Sequence, residues 1–184
     1  MDKIKIRDLM RPIEAFPVIS SDASFMDGVV TLENVDEQFK SGKTPERILL
    51  VHDKNGKVIG KLSPMDIVQG LEPNYDYIDR VKSGQYGKMI RSWLLAMKNQ
   101  LQLWHKPFEE LCERANKIKI YDFIKMPKSD QMVMIDDSID VAFHLFVLSR
   151  HGSLFVKEGE NIVGLILFSD IYKKIRESIK TCKI

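Results

Sequence analysis

The chain repeats itself, and a repeat of whole strand-and-helix units constrains the fold before any single motif is weighed. The stretch Val58-Ile59-Gly60-Lys61-Leu62-Ser63-Pro64-Met65-Asp66 returns as Ile162-Val163-Gly164-Leu165-Ile166-Leu167-Phe168-Ser169-Asp170, with the glycine-to-aspartate spacing kept. Upstream, Ile6-Arg7-Asp8-Leu9-Met10 matches Ile120-Tyr121-Asp122-Phe123-Ile124, and Asp22-Ala23-Ser24-Phe25 matches Asp136-Asp137-Ser138-Ile139, both at an offset of 114 positions. Val51 and Val156 precede the two glycines at nearly equal distance. The expected organisation is a first repeat over residues 1–71, a helical insert over 72–117 and a second repeat over 118–184.

Each repeat reads as strand, helix, strand, strand, helix. In the first, Pro12 ends any regular element and Phe16-Pro17-Val18-Ile19 offers a short strand. Phe25, Val29, Leu32 and Val35 keep helical spacing and predict a helix over about 23–40. Strands around Arg47–Val51 and Lys57–Leu62 flank a loop whose Asn55-Gly56 pair is a hairpin signal. Ser63 is a good N-cap, Pro64 suits the first helical position, and Asp66 stands where the acidic partner of a capping box belongs. The helix they open puts Ile67, Val68 and Leu71 on its buried side. The second repeat offers a strand over Met132–Ile135 and a helix with Ile139, Ala142, Phe143 and Phe146 on one face. A hairpin around Glu158-Gly159-Glu160 follows, then a last helix with Ile171, Ile175 and Ile179 inward.

In the insert, Met89, Ile90, Trp93, Leu94, Met97, Leu101 and Trp104 make an apolar stripe at helical spacing, and Pro107 starts a second helix through Phe108, Leu111 and Ala115. Met and Trp stripes are the ordinary signature of packed helices. The expectation is a helical hairpin covered by its neighbour and a second subunit, giving a homodimer, rather than a basic amphipathic membrane or calmodulin-like target.

Charge excludes more than it selects. Lys plus Arg at 28 against Asp plus Glu at 26 leaves +2, too balanced to name nucleic acid or an anionic membrane as partner. Cys112 and Cys182 lie far apart without metal-ligand spacing, so no disulfide framework or zinc site is indicated. The first residues carry no apolar signal core, and no uncharged run reaches the roughly 18 residues of a membrane helix. A soluble cytoplasmic protein is expected.

With the Asp8-Leu9-Met10 opening, the apolar strands around Val51 and Gly60 (again Val156 and Gly164), and the Gly-to-Asp stretch all occurring twice in order, the sequence resembles a tandem pair of CBS domains, the module named after cystathionine beta-synthase. The resemblance covers about residues 4 to 71 and 118 to 180. It implies a mixed α/β fold of two β-α-β-β-α repeats related by a pseudo-twofold axis. It also implies a regulatory module that senses AMP, ADP, ATP or S-adenosylmethionine and is coupled to a separate effector protein, with no other cofactor.

A strand feeding a helix through a tight turn gathers orphan backbone N–H groups and the positive helix end, which suits a phosphate. By the resemblance, Ser63 contacts phosphate and Asp66 holds the ribose hydroxyls. Arg47 matches a place where some members put a phosphate-contacting base, or is simply a charge at a strand's exposed start. In the second copy Leu167 replaces the serine. Asp170 is then the ribose candidate, and Ser169 either contacts phosphate or caps the last helix. Arg11 and Lys125 follow the matching Met10 and Ile124 and either lend positive charge to the cleft or, the commoner outcome for these residue types, stand solvated. His52, His105, His144 and His151 show no metal or triad spacing, and neither a P-loop nor Gly-x-Ser-x-Gly occurs, so catalysis is not expected. The reading from another class is a ligand-free oligomerisation or docking module, in which Ser63 and Asp66 only cap a helix.

Overall fold

In the computed structural model, which describes residues 4–44, 46–72, 74–75 and 91–181, the order β-α-β-β-α occurs twice. A short strand β1 (Arg11–Pro12) comes first. The first series is β2 (Val18–Ser20), α1 (Phe25–Lys40), β3 (Leu49–His52), β4 (Val58–Leu62) and α2 (Pro64–Leu71). Helices α3 (Arg91–Gln100) and α4 (Phe108–Ala115) form the insert. The second series is β5 (Met132–Met134), α5 (Ile139–Ser149), β6 (Ser153–Glu158), β7 (Asn161–Leu167) and α6 (Phe168–Thr181). Strands β2, β3 and β4 make a sheet in that order, and the second sheet runs β1-β7-β6-β5. The architecture is mixed α/β with inserted helices.

The chain divides into two compact units. One comprises residues 1–18, 52–60 and 125–184. In it β5 runs parallel to β6, while β6 and β7 form an antiparallel hairpin that turns through Gly159 at φ 58°. Ile6, Val133, Ile139, Ala142, Phe146, Leu154, Val156, Ile166 and Ile171 form its core. The N-terminal segment belongs to this core. Ile6 N–H donates to Asp137 O at 3.0 Å, Arg7 N–H to Ile135 O at 3.2 Å, and Ile139 N–H to Ile4 O at 3.1 Å. β1 then pairs with β7, Arg11 opposite Leu165 and Pro12 opposite Gly164. Pro12, expected to end any regular element, instead stands within a strand. A proline is tolerated because β1 is the sheet's edge, where a missing N–H breaks no ladder.

The other unit comprises residues 19–51 and 61–124. Leu49, Leu50 and Val51 of β3 are fully buried in it. Ser24 caps α1, its Oγ accepting the Asp27 N–H at 3.1 Å while the Asp27 carboxylate accepts the Ser24 N–H at 3.0 Å. The Ser24 hydroxyl, donating to the Asp27 carboxylate at 2.7 Å, and then the Ser24 N–H hold the Asp27 carboxyl below its ordinary pKa. Phe25, Gly28, Leu32 and Val35 form the buried face of α1. The bonds that tie down the N-terminal segment recur here at the same offset: Ile120 N–H to Ala23 O at 3.1 Å, Tyr121 N–H to Ser21 O at 2.9 Å, and Phe25 N–H to Ile118 O at 3.1 Å. Ile6 and Ile120 are both completely buried. Thus the segment that opens each repeat docks where the other repeat passes from strand to helix.

Two faces differ from the periodicity. Val68, expected to be buried, is 41% exposed, because α2 rests on its Gly70 side, where an added Cβ would lie 2.8 Å from the Phe123 ring. Ile179, expected inward, is exposed, since Ile171 and Ile175 meet the core and the last turn of α6 runs past it.

The insert stripe is not one helix. It breaks after Gln100, with Gln102 and Trp104 at positive φ. Met97 and Leu103 are buried against Tyr75 and Leu101, so the described part of the stripe is covered from within the insert. Buried Glu72 accepts the Trp104 N–H at 3.1 Å, and the Trp104 indole N–H donates to the Tyr75 hydroxyl at 3.0 Å. Arg114 Nε donates to Gly70 O at 3.0 Å, tying α4 to the end of α2. Met89, Ile90 and the side chains of Trp93 and Leu94 lie outside the described residues, as does Cys182.

Candidate functional site

The apolar strand β4 delivers the chain to Ser63, whose extended backbone and side-chain oxygen begin α2. Ser63 Oγ accepts the Asp66 N–H at 3.4 Å. Asp66 answers by accepting the Ser63 N–H at 2.8 Å and its hydroxyl at 2.6 Å, both on Oδ2. Pro64 follows at the first helical position, where its missing N–H costs nothing. The structure therefore brings Ser63 and Asp66 together as a reciprocal cap, half-buried, at the positive end of a helix. Lys61, two residues earlier on β4, lies below its ordinary pKa because of burial, with the Asp66 carboxylate acting in the opposite direction.

Arg47 takes a different position. Its Nε donates to Asp36 Oδ1 at 2.8 Å, and its guanidinium lies 4.8 Å from the centroid of the Phe39 ring, so it reaches back onto α1. With Asp36 it borders a mostly apolar cavity of about 370 Å³ between α1 and α2, walled by Val29, Leu32, Ile67 and Val68. Pro64 lines this cavity, whereas Ser63 and Asp66 do not.

The second copy is built otherwise. Leu167 is the last residue of β7 and fully buried, so the position equivalent to Ser63 is apolar. Helix α6 starts at Phe168, whose N–H donates to Gly152 O at 3.0 Å. Ser169 is the second residue of this helix. Asp170 receives a fork from Arg11: Nε to Oδ2 at 2.7 Å and Nη2 to Oδ1 at 2.8 Å. Sequence reasoning weighed Arg11 as cleft charge against a solvated arginine and missed its partner 159 positions away. The paired Met10 and Ile124 align Arg11 with Lys125, and nothing in that register signals an aspartate.

Among the described residues, no group of three or more His, Cys, Asp or Glu is placed to hold a metal ion. No described helix is long and apolar enough to cross a membrane.

No protein-family model matches the chain, and no curated protein matches its sequence. Solved structures do match. A CBS domain-containing protein of unknown function from Bacillus anthracis aligns over 96% of this chain and 95% of its own, with 16% identity and a TM-score of 0.59. CBSX2 in complex with AMP aligns over 95% and 98%, with 16% identity and a TM-score of 0.55. A putative acetoin utilization protein (AcuB) from Vibrio cholerae aligns over 96% and 93%, with 14% identity and a TM-score of 0.56. These likenesses show the fold: the chain has the architecture of a tandem pair of CBS domains, a Bateman module.

Proposed function

We propose that the chain is a non-catalytic regulatory module that binds an adenine nucleotide at the Ser63–Asp66 turn and relays occupancy to a partner protein. The observation that carries the reading is the turn itself. A serine hydroxyl, the positive N-terminal end of α2 and one carboxylate converge within a single helical turn, the hydroxyl and the Asp66 N–H being bonded within the cap in this state. A phosphate suits the helix end, with the hydroxyl turning to it from Asp66, and a ribose diol suits the carboxylate. Because the capping bonds fall on Oδ2 of Asp66, the diol is assigned to Oδ1. The AMP complex of a protein with this fold supports the choice of AMP over other ligands. S-adenosylmethionine shares the diol but offers the helix end its methionine carboxylate in place of a phosphate.

One observation favours a second reading. The Ser63–Asp66 bonds are also those of a plain capping box, and the apolar cavity beside Pro64 suits a protein surface as well as a small molecule. In that reading the module docks or oligomerises without a ligand. Thermal denaturation against adenine nucleotides, guanine nucleotides and S-adenosylmethionine separates the two. A ligand at 100 times its dissociation constant adds about 2.7 kcal/mol, which is several degrees for a chain of this size. AMP, ADP or ATP is expected to give that shift, and no shift with any compound would leave the docking reading.

The proposal includes a homodimer. Phe108 at 75%, Leu148 at 66% and Tyr172 at 52% exposure are large apolar side chains turned to solvent, and a second copy is the simplest cover. Sedimentation is expected to show a two-chain species; a monomer at every accessible concentration removes this part of the proposal.

A further inference from the structure

We propose that Arg11 is a built-in latch on the second turn: in this state it holds both oxygens of Asp170, and a nucleotide gains that carboxylate only by displacing it. The inference rests on the nucleotide-binding reading above and concerns regulation of its second turn.

The geometry of the pair is the first support. The Arg11 guanidinium meets Asp170 as a two-bond fork at 2.7 and 2.8 Å, the arrangement that matches a carboxylate in both shape and charge. The side chains are 33% and 27% exposed, so solvent and salt screen them less than a pair standing free on the surface. The latch is also aimed by the backbone. β1 fixes Arg11 opposite Leu165, one residue from the close approach at Gly164, so the side chain is delivered to the start of α6.

The contrast with the first turn is the second support. Asp66 makes its two capping bonds through one oxygen, whereas Arg11 engages both oxygens of Asp170. Diol hydroxyls are donors and need those lone pairs, so a nucleoside competes directly with the guanidinium. The pair borders a polar cleft of about 410 Å³ shared with Asp8, Met10, Lys173, Lys174 and Glu177, which gives a displaced arginine acidic groups to meet. The consequence is ordered filling: the Ser63–Asp66 turn takes nucleotide first, and the second turn only after Arg11 lets go.

The test uses calorimetric titration of the full chain with AMP. In an Asp66→Ala background the first turn is disabled and residual binding reports the second. Adding Arg11→Met is expected to tighten that residual binding roughly two- to five-fold, the range for releasing one partly exposed ion pair. Arg11→Lys keeps the charge but loses the fork, and an intermediate gain is expected. It decides the matter if a melting curve shows that Arg11→Met has not folded. Unchanged affinity overturns the latch, and weaker affinity overturns it by making Arg11 a ligand contact. If wild type binds AMP but no Arg11 variant tightens residual binding, the latch fails while the nucleotide reading stands. If neither wild type nor any variant binds AMP, both fail.

Discussion

Gly164→Ala is expected to lower the melting temperature by roughly 5 to 15 °C, corresponding to about 2 to 4 kcal/mol for a chain of this length. The cause is space. A Cβ added at Gly164 would lie 2.2 Å from the carbonyl oxygen of Arg11 and 2.5 Å from Met10 Cε. The methionine tip can swing aside. The carbonyl cannot, because β1 is held by its pairing with β7 and the chain just upstream is anchored by the bonds from Ile6 and Arg7 to Asp137 and Ile135. Relief therefore requires β1 to lift off the sheet, which costs edge pairing and loosens the core around Ile6. It also pulls Arg11 away from Asp170, so the variant should share the tightened second-turn binding expected of Arg11→Met, provided it is studied below its melting temperature. Circular dichroism melts check the stability, and a change of only a degree or so would show that β1 is not held as described.

Much of the fold was legible because its signals are local. The Asn55-Gly56 turn appears with Gly56 at φ 78°, and the Asp53 carboxylate accepts the N–H groups of Asn55 and Lys57, both at 2.9 Å. The Ser63–Asp66 cap is a contact across three residues, and sequence spacing specified it fully. The internal repeat, its opening segments 114 positions apart, carried the architecture. What stayed hidden depends on partners remote in sequence. Nothing near Arg11 announces Asp170, and nothing near Arg47 announces that Asp36 and Phe39 draw it back onto α1. Val68 was assigned inward because helical spacing treats glycine as neutral, yet Gly70 is the buried residue of α2 and lies against Phe123. The apolar stripe in the insert suggested an uninterrupted helix because apolar spacing continues through Gln102 and Trp104, while their positive φ values break it.

Asp66→Ala is the second large effect, and it bears on the central claim that the Ser63–Asp66 turn binds an adenine nucleotide. The substitution removes two bonds of the cap, so a stability loss of about 1 kcal/mol is expected from the helix alone. Affinity should fall further. A diol bound to a carboxylate makes charge-assisted hydrogen bonds, and each such bond contributes about 1.5 to 3 kcal/mol, so AMP affinity should drop roughly ten-fold or more. The two losses are separable because the first moves the melting temperature of the unliganded protein and the second does not depend on it while the chain stays folded. The direct measurement is calorimetric titration of AMP into wild type and Asp66→Ala at a temperature where both are folded. The account predicts saturable binding to wild type that is weakened at least roughly ten-fold in the variant. Equal affinity in the two, or no AMP binding to wild type, would contradict it and leave Ser63 and Asp66 as a helix cap.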